Sequence, residues 1–100
     1  MVEEKDNIKK DVTFEKALDD LLESIKNMLL IKRNDYGLTF QESCDKYGLM
    51  SPIVRLNDKL DRISNLYMNK KIIKNESIDD SFKDIIGYSI LSLLWRKGVR

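Results

Sequence analysis

The residues best suited to chemistry lie in the second half of the chain, where Glu76, Asp80, Asp84 and Tyr88 follow one another at intervals of four. Because an α-helix makes a turn every ~3.6 residues, this spacing places them in one narrow stripe. Carboxylates on such a stripe can bind a cation when they face a shielded cleft. Alternatively, the acidic residues simply complement the dipole at a helix N-terminus. Asp84 lies two turns into the predicted helix, where the dipole effect has faded, and it favours a site.

A second polar set lies on the preceding predicted helix and consists of Arg55, Asp58, Lys59 and Arg62. If this set faces a cleft, the arginines can bind phosphate through paired N–H groups and Lys59 can act as a point charge. Asp58 would then join the acidic stripe. If it faces solvent, the same residues form an ordinary polar helix surface with a weak Asp58–Arg62 pair.

The segment Asn34-Asp35-Tyr36-Gly37 is rich in residues that form turns. A loop of this kind can stack a nucleobase on the ring of Tyr36 and hydrogen-bond the edge of the base, with Asp35 as a candidate partner. Alternatively, Tyr36 covers the core beside Gly37 at the end of a helix.

Apolar residues recur at helical spacing, which predicts an all-α fold: a small bundle of three long helices and one short one. We expect residues 1–12 to be a flexible charged segment and residues 13–100 to form a single domain. The predicted helices run from an N-cap at Thr13 to about Lys32, from Thr39 to Lys46 before Tyr47-Gly48, from Ser51-Pro52 to about Asn69, and from a cap at Ser77 to about Lys97 before Gly98. A turn over Lys32–Gly37 joins the first helix to the short one, and a basic connector over Asn69–Asn75 joins the last two helices.

Composition narrows the range of functions. The net charge is +1, but residues 51–100 carry 10 Lys and Arg against 6 Asp and Glu. This excess of positive charge is too small for the basic face typical of duplex nucleic-acid binding but is enough for one phosphorylated ligand. Cys44 is the only cysteine and there is no histidine. These facts exclude an intrachain disulfide, a Cys–His nucleophile and histidine-based zinc sites. With no apolar run of membrane-spanning length and no signal-peptide pattern, we expect a cytoplasmic protein.

The last predicted helix is apolar on nearly all sides from Ile85 to Trp95. A bundle of this size cannot cover so much apolar surface alone. The small residues Ser81, Gly87, Ser89 and Ser92 would let a neighbouring helix approach closely. We therefore expect a homo-oligomer.

Three motifs occur in order along residues 14–95: Lys32-x-Asn34-Asp35-Tyr36-Gly37, Arg55-Leu56-Asn57-Asp58-Lys59-x-x-Arg62, and Asn75-Glu76-Ser77-Ile78-x-Asp80-Ser81-x-x-Asp84-x-x-x-Tyr88. Together they resemble the nucleotide modification associated domain 1 family of phages and bacteria. That family is similar to the MazG-like all-α pyrophosphohydrolases, which are helical oligomers whose acidic residues bind magnesium. The resemblance implies nucleotide chemistry, often in a phage.

Two departures favour binding over hydrolysis. The chain lacks a Glu-Glu-x-x-Glu motif followed on the next helix by Glu-x-x-Asp, which is the metal signature of the active hydrolases, and Asn75 stands where the family usually has aspartate. Two-metal phosphoryl chemistry needs several carboxylates. We expect a binder of a nucleotide, cyclic nucleotide or modified nucleotide, which sequesters an immune signal in a host cell or serves nucleotide modification. The predicted ligand contacts are Asp35, Tyr36, Arg55, Asp58, Lys59, Arg62, Asp84 and Tyr88, and the predicted magnesium ligands are Asp58, Glu76, Asp80 and Asp84. The alternatives are a magnesium-dependent nucleoside triphosphate pyrophosphohydrolase of the MazG-like type and a structural oligomer without ligand.

Overall fold

The computed structural model describes the backbone of residues 2–69 and 75–100 and the side chains of residues 13–69 and 78–100. The described residues form four helices and no strand: α1 (Val2–Tyr36), α2 (Thr39–Tyr47), α3 (Met50–Asn69) and α4 (Asn75–Arg96). The predicted all-α class, with three long helices and one short one, is confirmed. The chain divides into two compact units, Met1–Asn34 and Asp35–Arg100.

The first helix is longer than predicted at both ends. It begins at Val2, so the predicted N-cap at Thr13 is wrong, and it continues to Tyr36 through most of the predicted turn. The physical reason is that the sequence from Val2 to Tyr36 contains neither glycine nor proline, and the cost of Asn and Asp within a helix is small. Gly37 then ends the helix with a φ of 62°, a conformation that favours glycine.

The apolar stripe of α1 is buried towards its C-terminal end. The side chain of Ile25 is 1% exposed, and Met28 and Leu29 are half-buried. Phe14 and Leu18, earlier in the same stripe, are 70% and 42% exposed.

Glycines mark the C-terminal ends of the short helix α2 and of α4. Gly48 has a φ of 67° and its N–H donates to the carbonyl oxygen of Cys44 at 2.7 Å, which closes α2. Gly98, with a φ of 81°, follows the end of α4. The start of α4 differs from the prediction, because the helix already begins at Asn75 and Ser77 lies inside it. Most of the predicted basic connector, residues 70–74, lies outside the described residues.

The three helices of the second unit pack together, and α3 contacts α4 most extensively. The two helices are antiparallel, since Arg55 lies against Tyr88 while Lys59, one turn later in α3, pairs with Asp84, one turn earlier in α4. The short α2 contacts both. Within the described residues, no helix is both long enough and apolar enough to cross a membrane.

The apolar stripe predicted for α3 consists of Ile53, Leu56, Leu60, Ile63 and Tyr67, and it is only partly covered, since Leu56 and Ile63 are half-buried. Ile53, Leu60 and Tyr67 are 44%, 52% and 72% exposed, while Lys59 is directed towards α4. The polar edge of α3 therefore meets the neighbouring helix, and this orientation creates the site described next.

Candidate functional site

The centre of the site is the guanidinium of Arg55, which lies over two aromatic rings. Its Cζ atom is 5.5 Å from the ring centroid of Phe40 and 5.9 Å from that of Tyr88. The two rings are themselves stacked, with centroids 6.0 Å apart and planes inclined by 18°. A cation within about 6 Å of a ring centroid is attracted by the ring quadrupole. Phe40 of α2 and Tyr88 of α4 thus hold the head group of an α3 arginine in place.

One helical turn further along α3, the Nζ atom of Lys59 lies 2.8 Å from Oδ2 of Asp84. The side chains are 28% and 19% exposed, so the pair is largely shielded from water. Arg55 and Lys59 on α3, with Asp84 and Tyr88 on α4, form two successive layers of contact between the helices. We call these four residues the polar seam.

Hydroxyl groups continue the seam towards the start of α3. Nη1 of Arg55 donates to Oγ of Ser51 at 3.3 Å, and the hydroxyls of Ser51 and Ser43 are 2.6 Å apart. Among the residues whose side chains are described, no carboxylate pairs with Arg55. Its remaining N–H groups can therefore serve as donors to an anion.

The buried thiol of Cys44 lies beside these hydroxyls. Burial raises the pKa of this thiol, against smaller opposing effects of its hydrogen bond with Ser51 and of the charge on Arg55. A raised pKa disfavours the nucleophilic thiolate. Cys44 is thus a buried residue beside the polar seam with little nucleophilic character.

The other predicted site residues lie at the periphery. Asp58 and Arg62 on α3 and Asp80 on α4 are exposed, as are Asp35 and Tyr36. Tyr36 is 68% exposed, so its ring is accessible for stacking. The side chain of Glu76 lies outside the described residues.

Residues 32–95 match the family described as Nucleotide modification associated domain 1. The chain belongs to this family. The matched span includes the whole polar seam and most of the second unit but begins at Lys32, later than the span expected from the motifs. No curated protein and no solved structure is significantly similar to the chain.

For this member of the nucleotide modification associated family, the predicted magnesium ligands remain a prediction. Among the residues whose side chains are described, no group of three or more Cys, Asp or Glu side chains is arranged to hold a metal ion. Asp84, one of the predicted ligands, is held by Lys59.

The sequence analysis did not identify two residues that make contacts between helices, Phe40 and Asp45. Phe40 was not identified because an aromatic residue at the start of a short helix carries no signal of its own. Asp45 was also missed: its Oδ1 accepts hydrogen bonds from Nε1 of Trp95 and from Nη1 of Arg100, each at 2.9 Å. Nη2 of Arg100 lies 2.8 Å from the second oxygen. These partners are far apart in sequence, so spacing could not reveal them.

Proposed function

We propose that the chain binds a nucleotide or a nucleotide-derived ligand at the polar seam. The observation that carries this proposal is Arg55, a half-buried guanidinium held over Phe40 and Tyr88. Aromatic contact fixes the cation without neutralising it, so its N–H donors keep their affinity for phosphate oxygens. Membership of the nucleotide modification associated family supports the same ligand class.

The neighbouring residues of the seam have complementary roles in this proposal. Lys59 has three N–H donors, and its bond to Asp84 leaves others for a second phosphate oxygen. The carboxylate of Asp84 can accept a hydrogen bond from a sugar or a base. The exposed ring of Tyr36 stacks the base, while Asp35 and Arg62 contribute polar contacts from the periphery. If magnesium accompanies the phosphates, Asp58, Glu76 and Asp80 are the proposed ligands with Asp84.

A binder of this kind suits a phage protein that sequesters a nucleotide immune signal in the host cytoplasm or serves nucleotide modification. The alternative, hydrolysis of nucleoside triphosphates in the MazG-like manner, uses the same ligand class. The two are distinguished by whether the ligand is released unchanged.

The first experiment incubates the purified chain with nucleoside triphosphates, cyclic dinucleotides and modified nucleotides, each with and without Mg²⁺. Thermal melting reports binding, and chromatography reports product. A ligand at a hundred times its Kd stabilises the native state by about 2.7 kcal/mol, which is readily seen as a shift in melting temperature. A shift without product supports the proposal. Product formation supports the hydrolase, and neither result for any nucleotide would reject nucleotide binding.

The second experiment tests whether the ligand binds at the polar seam. Arg55→Ala should weaken binding of the best nucleotide about 10- to 100-fold, because a hydrogen bond to a charged group contributes about 1.5–3 kcal/mol. Arg55→Lys should restore part of the affinity, since it keeps the charge but loses the paired donors and the flat contact with the rings. Arg33→Ala, at an exposed arginine of α1, is the matched control and should bind as the wild type does. Unchanged affinity in Arg55→Ala would place the site elsewhere.

A further inference from the structure

The side of α4 that is turned away from α3 carries a stripe that is exposed at Phe82 and Leu93 and half-buried at Ile86 and Ser89. At about 100° per residue, Ile86 and Leu93 lie nearly opposite Asp84 and Tyr88, which contact α3. Phe82 and Leu93 in this stripe are 51% and 61% exposed. We call the stripe the outer face of α4; its residues are Asp79, Phe82, Ile86, Ser89, Leu93 and Arg96.

The spacing along the outer face alternates between three and four residues from Asp79 to Arg96. Alternation of this kind keeps one set of side chains against a partner helix and is the pattern of a coiled-coil seam. A stripe that merely covered the bundle's own core would not remain exposed at its largest apolar residues. The outer face therefore has the geometry of a helix that pairs with another helix.

The order of residues on this face identifies the partner. When two copies of α4 run antiparallel, Asp79 of one lies opposite Arg96 of the other, Phe82 opposite Leu93, and Ile86 opposite Ser89. Each layer thus joins unlike charges, two large apolar side chains, or a large side chain with a small one. By symmetry each layer occurs twice. A parallel arrangement would instead place Asp79 against Asp79 and Arg96 against Arg96, which is repulsive.

We propose that two copies of this chain pair through the outer faces of their α4 helices, antiparallel, with Asp79 of each copy bound to Arg96 of the other. Ser89 permits the close approach at the centre: its hydroxyl donates to the carbonyl oxygen of Ile85 at 2.8 Å and brings no unsatisfied donor into the contact. Because this face lies opposite the polar seam, the pairing leaves the proposed nucleotide site open and does not depend on it.

Sedimentation equilibrium at micromolar concentration tests the pairing. The wild type should give twice the chain mass of 11.7 kDa. Asp79→Arg and Arg96→Asp should each weaken the dimer by about tenfold or more, because each replaces two ion pairs with two repulsive contacts. The double reversal, Asp79→Arg with Arg96→Asp, restores opposite charges and should recover the dimer. A monomeric wild type would overturn the proposal, and so would a double reversal that dimerises no better than the two single variants.

A second comparison separates this face from the other exposed apolar residues. Leu93→Asp should give the monomer mass, whereas Phe14→Asp, at a 70% exposed residue of α1, should leave the dimer intact. Circular dichroism should show that both variants keep their helical content. For the orientation, a variant with Phe82→Cys and Leu93→Cys should form a cross-link between position 82 of one copy and position 93 of the other. A dimer that survives Leu93→Asp would show that the contact lies elsewhere on the chain. Cross-links between position 82 of both copies would show that the helices run parallel. Either result overturns the proposal.

Discussion

The pairing of Lys59 with Asp84 changes the effect on stability that we expect from neutralising Asp84. On the helical stripe alone, Asp84 is a neighbour of Asp80, and neutralising it should relieve repulsion. In the folded chain Asp84 instead lies 2.8 Å from a lysine, and the two side chains are 28% and 19% exposed. Removing one partner of a shielded pair leaves the other charge uncompensated, and that cost exceeds the small value of a surface ion pair.

We therefore expect Asp84→Asn to lower the free energy of unfolding by about 1–3 kcal/mol. The same substitution one turn earlier, Asp80→Asn at an exposed position, should change it by no more than about 0.5 kcal/mol. Urea denaturation of the ligand-free chain measures both. If Lys59→Met is combined with Asp84→Asn, the loss should be smaller than the sum of the two single effects. Equal stability of the two Asn variants would show that the pair contributes nothing.

The C-terminal end of α4 is held to α2 by a single carboxylate. Asp45 accepts from Trp95 and pairs with Arg100 through both oxygens. The hydrogen bonds from Arg100 and then from Trp95 lower the pKa of Asp45 below its ordinary value of 3.8. A carboxyl group whose pKa is lowered on folding stabilises the fold above its unfolded-state pKa, and that contribution is lost as the pH falls through the folded-state value.

Asp45→Asn should accordingly reduce the melting temperature most at neutral pH. The difference from the wild type should shrink as the pH is lowered through 3.8 and below, because both proteins then carry a neutral side chain at this position. Melting curves from pH 7 to pH 3 measure this convergence. Asp61→Asn, on the exposed surface of α3, is the control and should melt close to the wild type at neutral pH. A constant difference across the range would contradict the linkage.

For the molecule as a whole, exposed apolar surface is the dominant feature. Large side chains are exposed on both long helices of the second unit, among them Leu60 at 52% and Leu93 at 61%. A chain of 100 residues buries a limited core, and covering such surface in a dimer adds apolar burial that the monomer lacks.

The melting temperature of the wild type should therefore rise with protein concentration. Mass action favours a folded dimer by about 1.4 kcal/mol for each tenfold increase in concentration. The Leu93→Asp variant should melt at one temperature throughout, since we expect its native state to be monomeric. Scanning calorimetry across a hundredfold range of concentration compares them. A wild type whose melting temperature is independent of concentration would argue against an obligate dimer.

The sequence by itself determined the helical class, the ends of α2 and α4 at glycines, and the family to which the chain belongs. These features are local: helix formation depends on bonds between residues four apart, and Gly48 and Gly98 supply backbone conformations that other residues rarely adopt. Arg55, Lys59, Asp84 and Tyr88 were also selected from the sequence as candidate site residues; the structure brings them together, and their role in ligand binding stays a prediction.

Only the tertiary structure decided which side of α3 faces α4, and with it which residues meet. The predicted apolar stripe of α3 is covered only in part: Leu56 and Ile63 are half-buried. Leu60 and Tyr67 are exposed, and Lys59 is directed towards α4 instead. A periodic stripe shows that a helix has a face to cover but does not say whether its own chain or a second copy covers it. Contacts such as Arg55 with Phe40 depend on packing between distant segments, so their geometry emerges only when the helices are assembled.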